Sequence, residues 1–155
     1  MQPDAMDIAS FLTPKSAVVW VSAEGTIAQA LERMKPNGFG SVPILDEDGC
    51  YFGTLSTSDL IWHLFEAGDS WQDTARLTPL ANIRRARNDE ALHVAAGLPK
   101  LLGQIAIQSF VSVVDDRGVF LGIVRRRPII EHFARVAAPG MRSQRDRPPP
   151  YAVVR

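Results

Sequence analysis

A duplicated hairpin pattern is the feature that most constrains how this chain folds. Residues 41–53 and residues 110–122 each read as an apolar stretch, an acidic turn containing glycine, and a second apolar stretch. Three residues recur 69 positions later: Asp46, Gly49 and Gly53 as Asp115, Gly118 and Gly122. Apolar runs around a glycine turn are typical of β-hairpins. The sequence therefore predicts one hairpin used twice, in two related structural units.

Helical patterns accompany the hairpins. In the first copy, Thr26 and Gln29 have the spacing of a capping box at the start of a helix. That helix has an apolar stripe and is predicted to end at residues 35–38; its apolar positions are Ile27, Ala30, Leu31 and Met34. After each hairpin the apolar positions recur in register, which predicts the same buried helix face twice: Leu60, Ile61 and Leu64, then Ile129, Ile130 and Phe133.

The second copy is less regular than the first. Residues 18–21, a β-branched run, predict a strand before the first helix. Asp89 is a candidate cap for the corresponding helix of the second copy, but Gly97 and Pro99 interrupt the pattern, and the spacing to the hairpin is six residues longer. We therefore expect a kinked or broken helix there.

The resulting fold class is α/β, in the sense of mixed α+β, with each unit ordered strand, helix, strand, strand, helix. The predicted units are residues 6–68 and 69–138, joined by a polar surface connection at residues 68–80. Residues 139–155 are rich in proline and arginine and are expected to be a disordered tail. Pro148–Tyr151 matches a WW-domain ligand pattern only weakly.

Composition and motifs argue against several functional classes. The chain lacks a run of about 18 apolar residues, and its first residues lack the pattern of a signal peptide, so we expect a cytoplasmic protein. The single cysteine, Cys50, lies in a turn, and the three histidines have no zinc-ligand spacing. Neither a nucleophile elbow nor a phosphate-binding loop is present, so we expect no enzymatic activity and no metal.

The segment from Gly53 to Asp59 carries the most chemical information. A strand gives way to a helix there, and the first-turn amides of a helix are free donors at the positive end of its dipole. Asp59 is placed to accept the two hydroxyls of a ribose, and Ser56 adds a hydroxyl for ribose or phosphate. The same residues are also what simple helix capping selects, so spacing alone leaves both interpretations open.

Two copies of this pattern, with G-x-x-S/T-x-x-D joining strand to helix, resemble the CBS domain family over roughly residues 8–137. The resemblance implies two repeats packed sheet to sheet as a pseudo-twofold module that binds AMP, ADP, ATP or a related adenosine nucleotide, with no obligatory cofactor. It assigns ribose and phosphates to Ser56 and Asp59, beside Gly53 and Thr57. It also implies an adenine slot at Ser41, Val42 and Pro43, closed by residues 15–18 with Lys15, Ala17 and Val18.

The second repeat departs from this motif. Gly122 is present, but Arg125 stands at the hydroxyl position and Pro128 at the carboxylate position. We therefore expect at most one site of the motif type. Arg125, Arg126 and Arg127 are candidates to hold the phosphates of a nucleotide, although an exposed or dimer-forming face explains them equally well.

These observations lead to two hypotheses. The first is a bacterial regulatory sensor whose nucleotide shifts a homodimer between two arrangements. The second is a dimerisation or partner-docking scaffold that has lost its ligand. Residues 1–69 carry three Lys/Arg against ten Asp/Glu, a net charge of −7, whereas residues 70–155 carry fourteen against seven, a net of +7. The family resemblance implies a homodimer that forms through the helices, and this charge asymmetry suggests that its two chains are arranged head to tail. Nucleic-acid binding is ranked third.

Overall fold

Two β-sheets and their helices form residues 7–38 and 40–138, the part of the chain that the computed structural model describes. The first unit consists of β2 (Val21–Ser22), α1 (Ile27–Met34), β3 (Ser41–Leu45), β4 (Tyr51–Ser56) and α2 (Thr57–Ala67). The second consists of β5 (Leu92–His93), α4 (Leu98–Ile105), β6 (Phe110–Val114), β7 (Phe120–Arg125) and α5 (Arg126–Ala137). The predicted order of elements and the mixed fold are confirmed.

The two sheets repeat one topology and differ by one added strand. In each unit the first strand is parallel to the second, and the second is antiparallel to the third. β1 (Leu12–Pro14) precedes the first unit in sequence but pairs antiparallel with β7, at the edge of the second sheet. The N-terminal segment therefore ties the two units together.

The connection between the units also crosses the predicted boundary. It folds as α3 (Trp71–Leu77), with one short 3-10 turn before it and another after it. Ala75, Leu80 and Ile83 are buried in the core of the first unit. The expectation of a plain surface connection at residues 68–80 is therefore wrong, because part of this segment covers the first sheet.

A small apolar cluster joins the sheets. Val18, Leu45, Phe120 and Ile123 pack together in it, separately from the core of each unit. The turns of the two hairpins also contact each other reciprocally. The Tyr51 amide donates to the Gly118 carbonyl at 3.1 Å, and the Phe120 amide donates to the Gly49 carbonyl at 3.0 Å. These positions are 69 apart, so the contact has the pseudo-twofold symmetry expected from the repeat.

Two strand and helix predictions need correction. The strand predicted at residues 18–21 covers only Val21–Ser22, because Val18 and the partly buried Trp20 pack into the cluster between the sheets. α4 is an eight-residue helix that begins after Gly97, with Pro99 in its first turn, where a missing amide costs nothing. Asp89 lies upstream of β5 and does not cap this helix. The expected kink or break is wrong, because the helix begins at Leu98 and continues past Pro99 to Ile105.

The helices that follow the hairpins bury less than the sequence predicts. Leu60 and Ile129 are buried at matching positions, but Ile61 and Ile130 are 63% and 58% exposed. Phe133 is also exposed, and only Leu64 packs partly against the core. A single row of each helix faces its sheet, and the neighbouring apolar row faces outward.

Two further findings concern the described part of the chain. None of its helices combines the length and apolar character needed to cross a membrane. Within the same ranges, no three His, Cys, Asp or Glu side chains are grouped so that they would hold a metal ion. The expectations for the tail and for Pro148–Tyr151 fall outside the described residues.

Candidate functional site

Two clefts lie where the first unit meets the second. The larger cleft has a volume of about 370 Å³. Its lining comes from both units: Val18, Val19, Gly40, Ser41, Val42, Pro43, Ser109, Phe110, Ile123, Arg125, Arg126 and Arg127. The smaller cleft has a volume of about 20 Å³. It is lined by Ser41, Thr54, Ser56, Asp59, Arg87, Asp89, Ser109 and Phe110.

The two clefts are built from matching positions of the repeat. Val18 of the larger cleft corresponds to Arg87 of the smaller cleft, 69 residues later. Arg125 of the larger cleft corresponds in the same way to Ser56 of the smaller cleft. Each cleft therefore combines the edge of one unit with the start of the last helix of the other.

The predicted binding residues are consequently divided between the clefts. Ser56 and Asp59 line the smaller cleft, whereas Val18, Val42, Pro43 and Arg125 line the larger one, and Ser41 contributes to both. Four other predicted residues are absent from the described lining of these two clefts: Lys15, Ala17, Gly53 and Thr57. Of the predicted adenine slot, Ser41 shares the smaller cleft with the predicted ribose residues, whereas Val42 and Pro43 line the larger cleft.

Ser56 and Asp59 form a reciprocal cap at the start of α2. The Asp59 amide donates to Ser56 Oγ at 3.1 Å, and the Ser56 amide donates to Asp59 Oδ2 at 3.1 Å. The other carboxylate oxygen, Oδ1, accepts from the amide of Ala86 at 3.0 Å. The Asp59 side chain is buried. Both of its oxygens thus hold backbone amides, one in the helix cap and one in the segment that follows α3.

An arginine occupies the space over Gly53. A Cβ atom at this position would overlap the guanidinium of Arg85, which stacks on the Phe52 ring at 5.2 Å from its centroid. Arg85 Nη1 is buried and has no hydrogen-bond partner among the described residues. The resemblance placed Gly53 beside the ligand, and in the structure the Arg85 side chain lies over this glycine. Sequence analysis missed Arg85, because a run of basic residues outside any motif gives no sign of where it packs.

Other polar groups fill the region around the smaller cleft. The Tyr51 hydroxyl donates to the Asp89 carbonyl and contacts Thr54 Oγ1, each at 2.8 Å. Burial raises the pKa of the Tyr51 hydroxyl above its ordinary value, so this group stays neutral as a donor. The carboxylate of Asp89 pairs with Arg87 at 3.3 Å. This region is therefore polar and largely occupied by the protein itself.

The larger cleft has the opposite character. Val42 and Ile123 are buried and Phe110 is partly buried, so its floor is mainly apolar. Arginines occupy the start of α5. The guanidinium of Arg126 donates to the carbonyl oxygens of Ile105 and Gln108 at 3.0 and 3.1 Å, which fixes it to the end of α4.

The other two arginines of this run are exposed. Arg127 pairs with Glu131 at 2.9 Å on the outer side of α5. Arg125 occupies the N-cap position of α5, where its side chain makes no capping hydrogen bond. Two exposed arginines and the start of a helix without a side-chain cap therefore lie beside an apolar cavity. This arrangement suits a ligand with an apolar ring and a negative group.

Several lining residues of the larger cleft were not predicted. Ser109, Phe110 and Ile123 were missed, although Ser109 and Phe110 lie 69 positions after Gly40 and Ser41. The internal repeat could therefore have predicted Ser109 and Phe110 as lining residues, because they are the counterparts of Gly40 and Ser41.

Comparison with known proteins identifies the fold. The family model described as the CBS domain matches residues 7–66. The chain has the fold of a tandem CBS-domain pair. Among curated proteins, no relative matches it at a significant level.

Solved CBS-pair structures superpose on most of the chain. A complex of CbpB with c-di-AMP has a TM-score of 0.76 at 22% identity, covering 86% of this chain and 87% of that one. A conserved protein of Geobacillus kaustophilus has a TM-score of 0.75 at 24% identity, with 84% and 98% covered. CBSX2 of Arabidopsis thaliana in complex with AMP has a TM-score of 0.65 at 17% identity, with 85% and 98% covered. At these identities the likeness establishes the shared CBS-pair fold.

Proposed function

We propose that this protein is a non-catalytic regulatory module that binds an adenosine nucleotide between its two CBS repeats. The observation that carries the proposal is the larger cleft, which joins an apolar floor to arginines at the start of a helix. Two structures with the same fold are complexes with adenine-containing ligands, c-di-AMP in CbpB and AMP in CBSX2. The fold is thus one that holds such ligands in other proteins.

Within the larger cleft, the adenine ring would lie against Val18, Pro43 and Ile123. Its phosphates would then point toward Arg125 and Arg127, whose guanidinium groups bind phosphate oxygens in pairs. This placement keeps the predicted adenine slot and Arg125 as ligand residues. It moves the site away from Ser56, Asp59, Gly53 and Thr57, since Asp59 already holds two backbone amides.

A thermal-shift screen tests nucleotide binding. The ligands are AMP, ADP, ATP, c-di-AMP and S-adenosylmethionine, each at a concentration well above its expected dissociation constant. A ligand that binds only the native state raises Tm, by an amount that grows with its concentration. We expect at least one adenine nucleotide to do so. A folded protein whose Tm is unchanged by all five would contradict the proposal.

The exposed apolar rows of α2 and α5 favour a second candidate function, that of a dimerisation scaffold. Ile61 and Phe65 on α2 and Ile130 on α5 are 63%, 73% and 58% exposed. Large exposed apolar side chains on a helix commonly mark a protein interface. We infer a homodimer formed through these helices, arranged head to tail so that the acidic half meets the basic half.

Sedimentation equilibrium tests this dimer. The dissociation constant should rise between low and high salt, because opposite charges at an interface are screened by ions. Phe65→Asp should produce a monomer, while Leu77→Asp, on the exposed apolar side chain at the end of α3, serves as the matched control. If the protein were a monomer at all concentrations, both the dimerisation-scaffold hypothesis and the dimer-based sensor hypothesis would be contradicted.

A further inference from the structure

We propose that the larger cleft selects its ligand by phosphate charge and makes no use of a ribose diol. This inference rests on the proposed function and specifies its ligand class: nucleotides with several phosphates, including those that lack a free 2′-hydroxyl. The lining supports it directly. It contains three arginines, and none of its described residues is an aspartate or a glutamate.

A ribose diol is recognised best by a carboxylate, since two adjacent hydroxyls donate to its two oxygens. In the second repeat, the position that matches Asp59 is Pro128, whose ring offers no acceptor. The neutral hydroxyls of Ser41 and Ser109 are the side-chain acceptors among the described lining residues. A 2′-deoxy ligand would therefore leave no buried charge unpaired, and its loss of affinity would be small.

Phosphates meet a different environment. Arg126 donates to the carbonyl oxygens of Ile105, the last residue of α4, and of Gln108, three residues later, and these two hydrogen bonds orient its guanidinium. Arg125 has no capping role, and Arg127 is tied only to an exposed glutamate. Both side chains are exposed, and each additional phosphate that they reach would gain charge-assisted hydrogen bonds.

The position of Arg125 strengthens the argument for phosphate selection. It stands 69 residues after Ser56, at the point where the strand β7 becomes the helix α5. A hydroxyl there would contact ribose or phosphate without preference, whereas a guanidinium favours a dianion. In this repeat Arg125 stands at the hydroxyl position of the motif and Pro128 at its carboxylate position. Both differences favour recognition of phosphate over recognition of ribose.

Isothermal titration calorimetry with five ligands tests the inference on the unmodified protein. The ligands are ATP, 2′-deoxy-ATP, ADP, AMP and adenosine. Affinity should fall about fivefold or more for each phosphate removed, which corresponds to the loss of charge-assisted hydrogen bonds. Affinity for 2′-deoxy-ATP should stay within about threefold of that for ATP.

The double variant Arg125→Ala/Arg127→Ala supplies the second arm. It should lower the affinity for ATP by about 30-fold or more while changing that for adenosine by less than about threefold. Arg135→Ala, which removes one exposed arginine from the far end of the same helix, is the control and should leave both affinities unchanged. Circular dichroism verifies that both variants are folded.

The outcomes separate the two claims. Tight ATP binding with 2′-deoxy-ATP weaker by tenfold or more would overturn the inference and leave the proposed function intact. Equal affinities for ATP and AMP would do the same. Absence of heat with every ligand, in a folded protein, would overturn the proposed function and this inference with it.

Discussion

The two clefts occupy equivalent places in the repeat, yet one is filled and the other is open. Around the smaller cleft stand Tyr51 and Thr54, whose counterparts 69 residues later are Phe120 and Ile123. The first pair makes hydrogen bonds that help to fill its cleft, while the second pair is buried and apolar. One duplicated architecture has therefore acquired one polar cleft and one apolar cleft.

Asp59 and Pro128 show how a single position separates the clefts. The Asp59 carboxylate accepts a hydrogen bond from the amide of Ala86, which precedes Arg87 in the lining of the smaller cleft. The counterpart of Ala86 is Ala17, which faces a repeat where Pro128 replaces the carboxylate. Because Pro128 has no side-chain acceptor, it cannot hold the segment around Ala17 as Asp59 holds the segment around Ala86. The Asp59 contacts with the amides of Ser56 and Ala86 thus form an internal clamp within the motif that the family resemblance assigned to a ligand.

Blocking the larger cleft should have the largest effect. A tryptophan at position 40 would extend from a glycine whose Cβ direction meets open space at the cleft wall. Gly40→Trp should lower ATP affinity by about 100-fold or more, because the indole would take the volume needed by the base. Gly103→Trp, at an open and exposed glycine of α4, is the control for calorimetry. Unchanged affinity in Gly40→Trp would place the ligand elsewhere.

Removing the clamp should affect stability more than binding. Asp59→Ala deprives two backbone amides of their acceptor, and we expect the free energy of unfolding to fall by about 2–3 kcal/mol. Pro128→Ala, at the matching position, should change it by less than about 1 kcal/mol. Urea denaturation measures both. If both variants lost the same free energy of unfolding, the Asp59 contacts would not distinguish the smaller cleft from the larger one.

The two motif glycines should also respond unequally. A Cβ at Gly122 would overlap the backbone carbonyl of Thr13 in β1, whereas at Gly53 it would overlap the guanidinium at the end of the long Arg85 side chain. Gly122→Ala should cost about 1–3 kcal/mol, since β1 must move away from β7. Gly53→Ala should cost less than about 1 kcal/mol. A larger loss in Gly53→Ala would show that Arg85 is held rigidly.

The smallest expected effect comes from the polar network. Tyr51→Phe removes a hydroxyl that contacts Thr54 and the Asp89 carbonyl, and should cost about 1 kcal/mol. The reciprocal change, Phe120→Tyr, places a hydroxyl in the apolar cluster between the sheets. It should destabilise by at least as much. A stabilising Phe120→Tyr would indicate that the larger cleft is more polar than its lining shows.

The sequence predicted the fold better than the site. Repeat spacing and apolar periodicity determine the order of elements, and both are local properties of the chain. They do not reveal that β1 pairs with β7, because this partner is chosen by long-range packing. The motif at Ser56 and Asp59 was located correctly at a helix start, and spacing had left capping and ligand binding open. Only the contact with Ala86 shows what occupies the second carboxylate oxygen.

The residues that line each cleft could also not be predicted from local sequence patterns. The family resemblance implied a single site that combines Ser41 to Pro43 with Ser56 and Asp59, all from one repeat. The pseudo-twofold packing instead sets each of these segments opposite the other repeat. Arg125 was the exception, since its phosphate role was considered from the start and its place in the larger cleft supports that reading.

A crystal structure of the protein grown with ATP tests the central claim most directly. The account predicts electron density for the base between Val18 and Pro43, with phosphates near Arg125 and with the Asp59 contact to the Ala86 amide intact. Density for a ribose at the Asp59 carboxylate, with Arg85 displaced from Gly53, would contradict it.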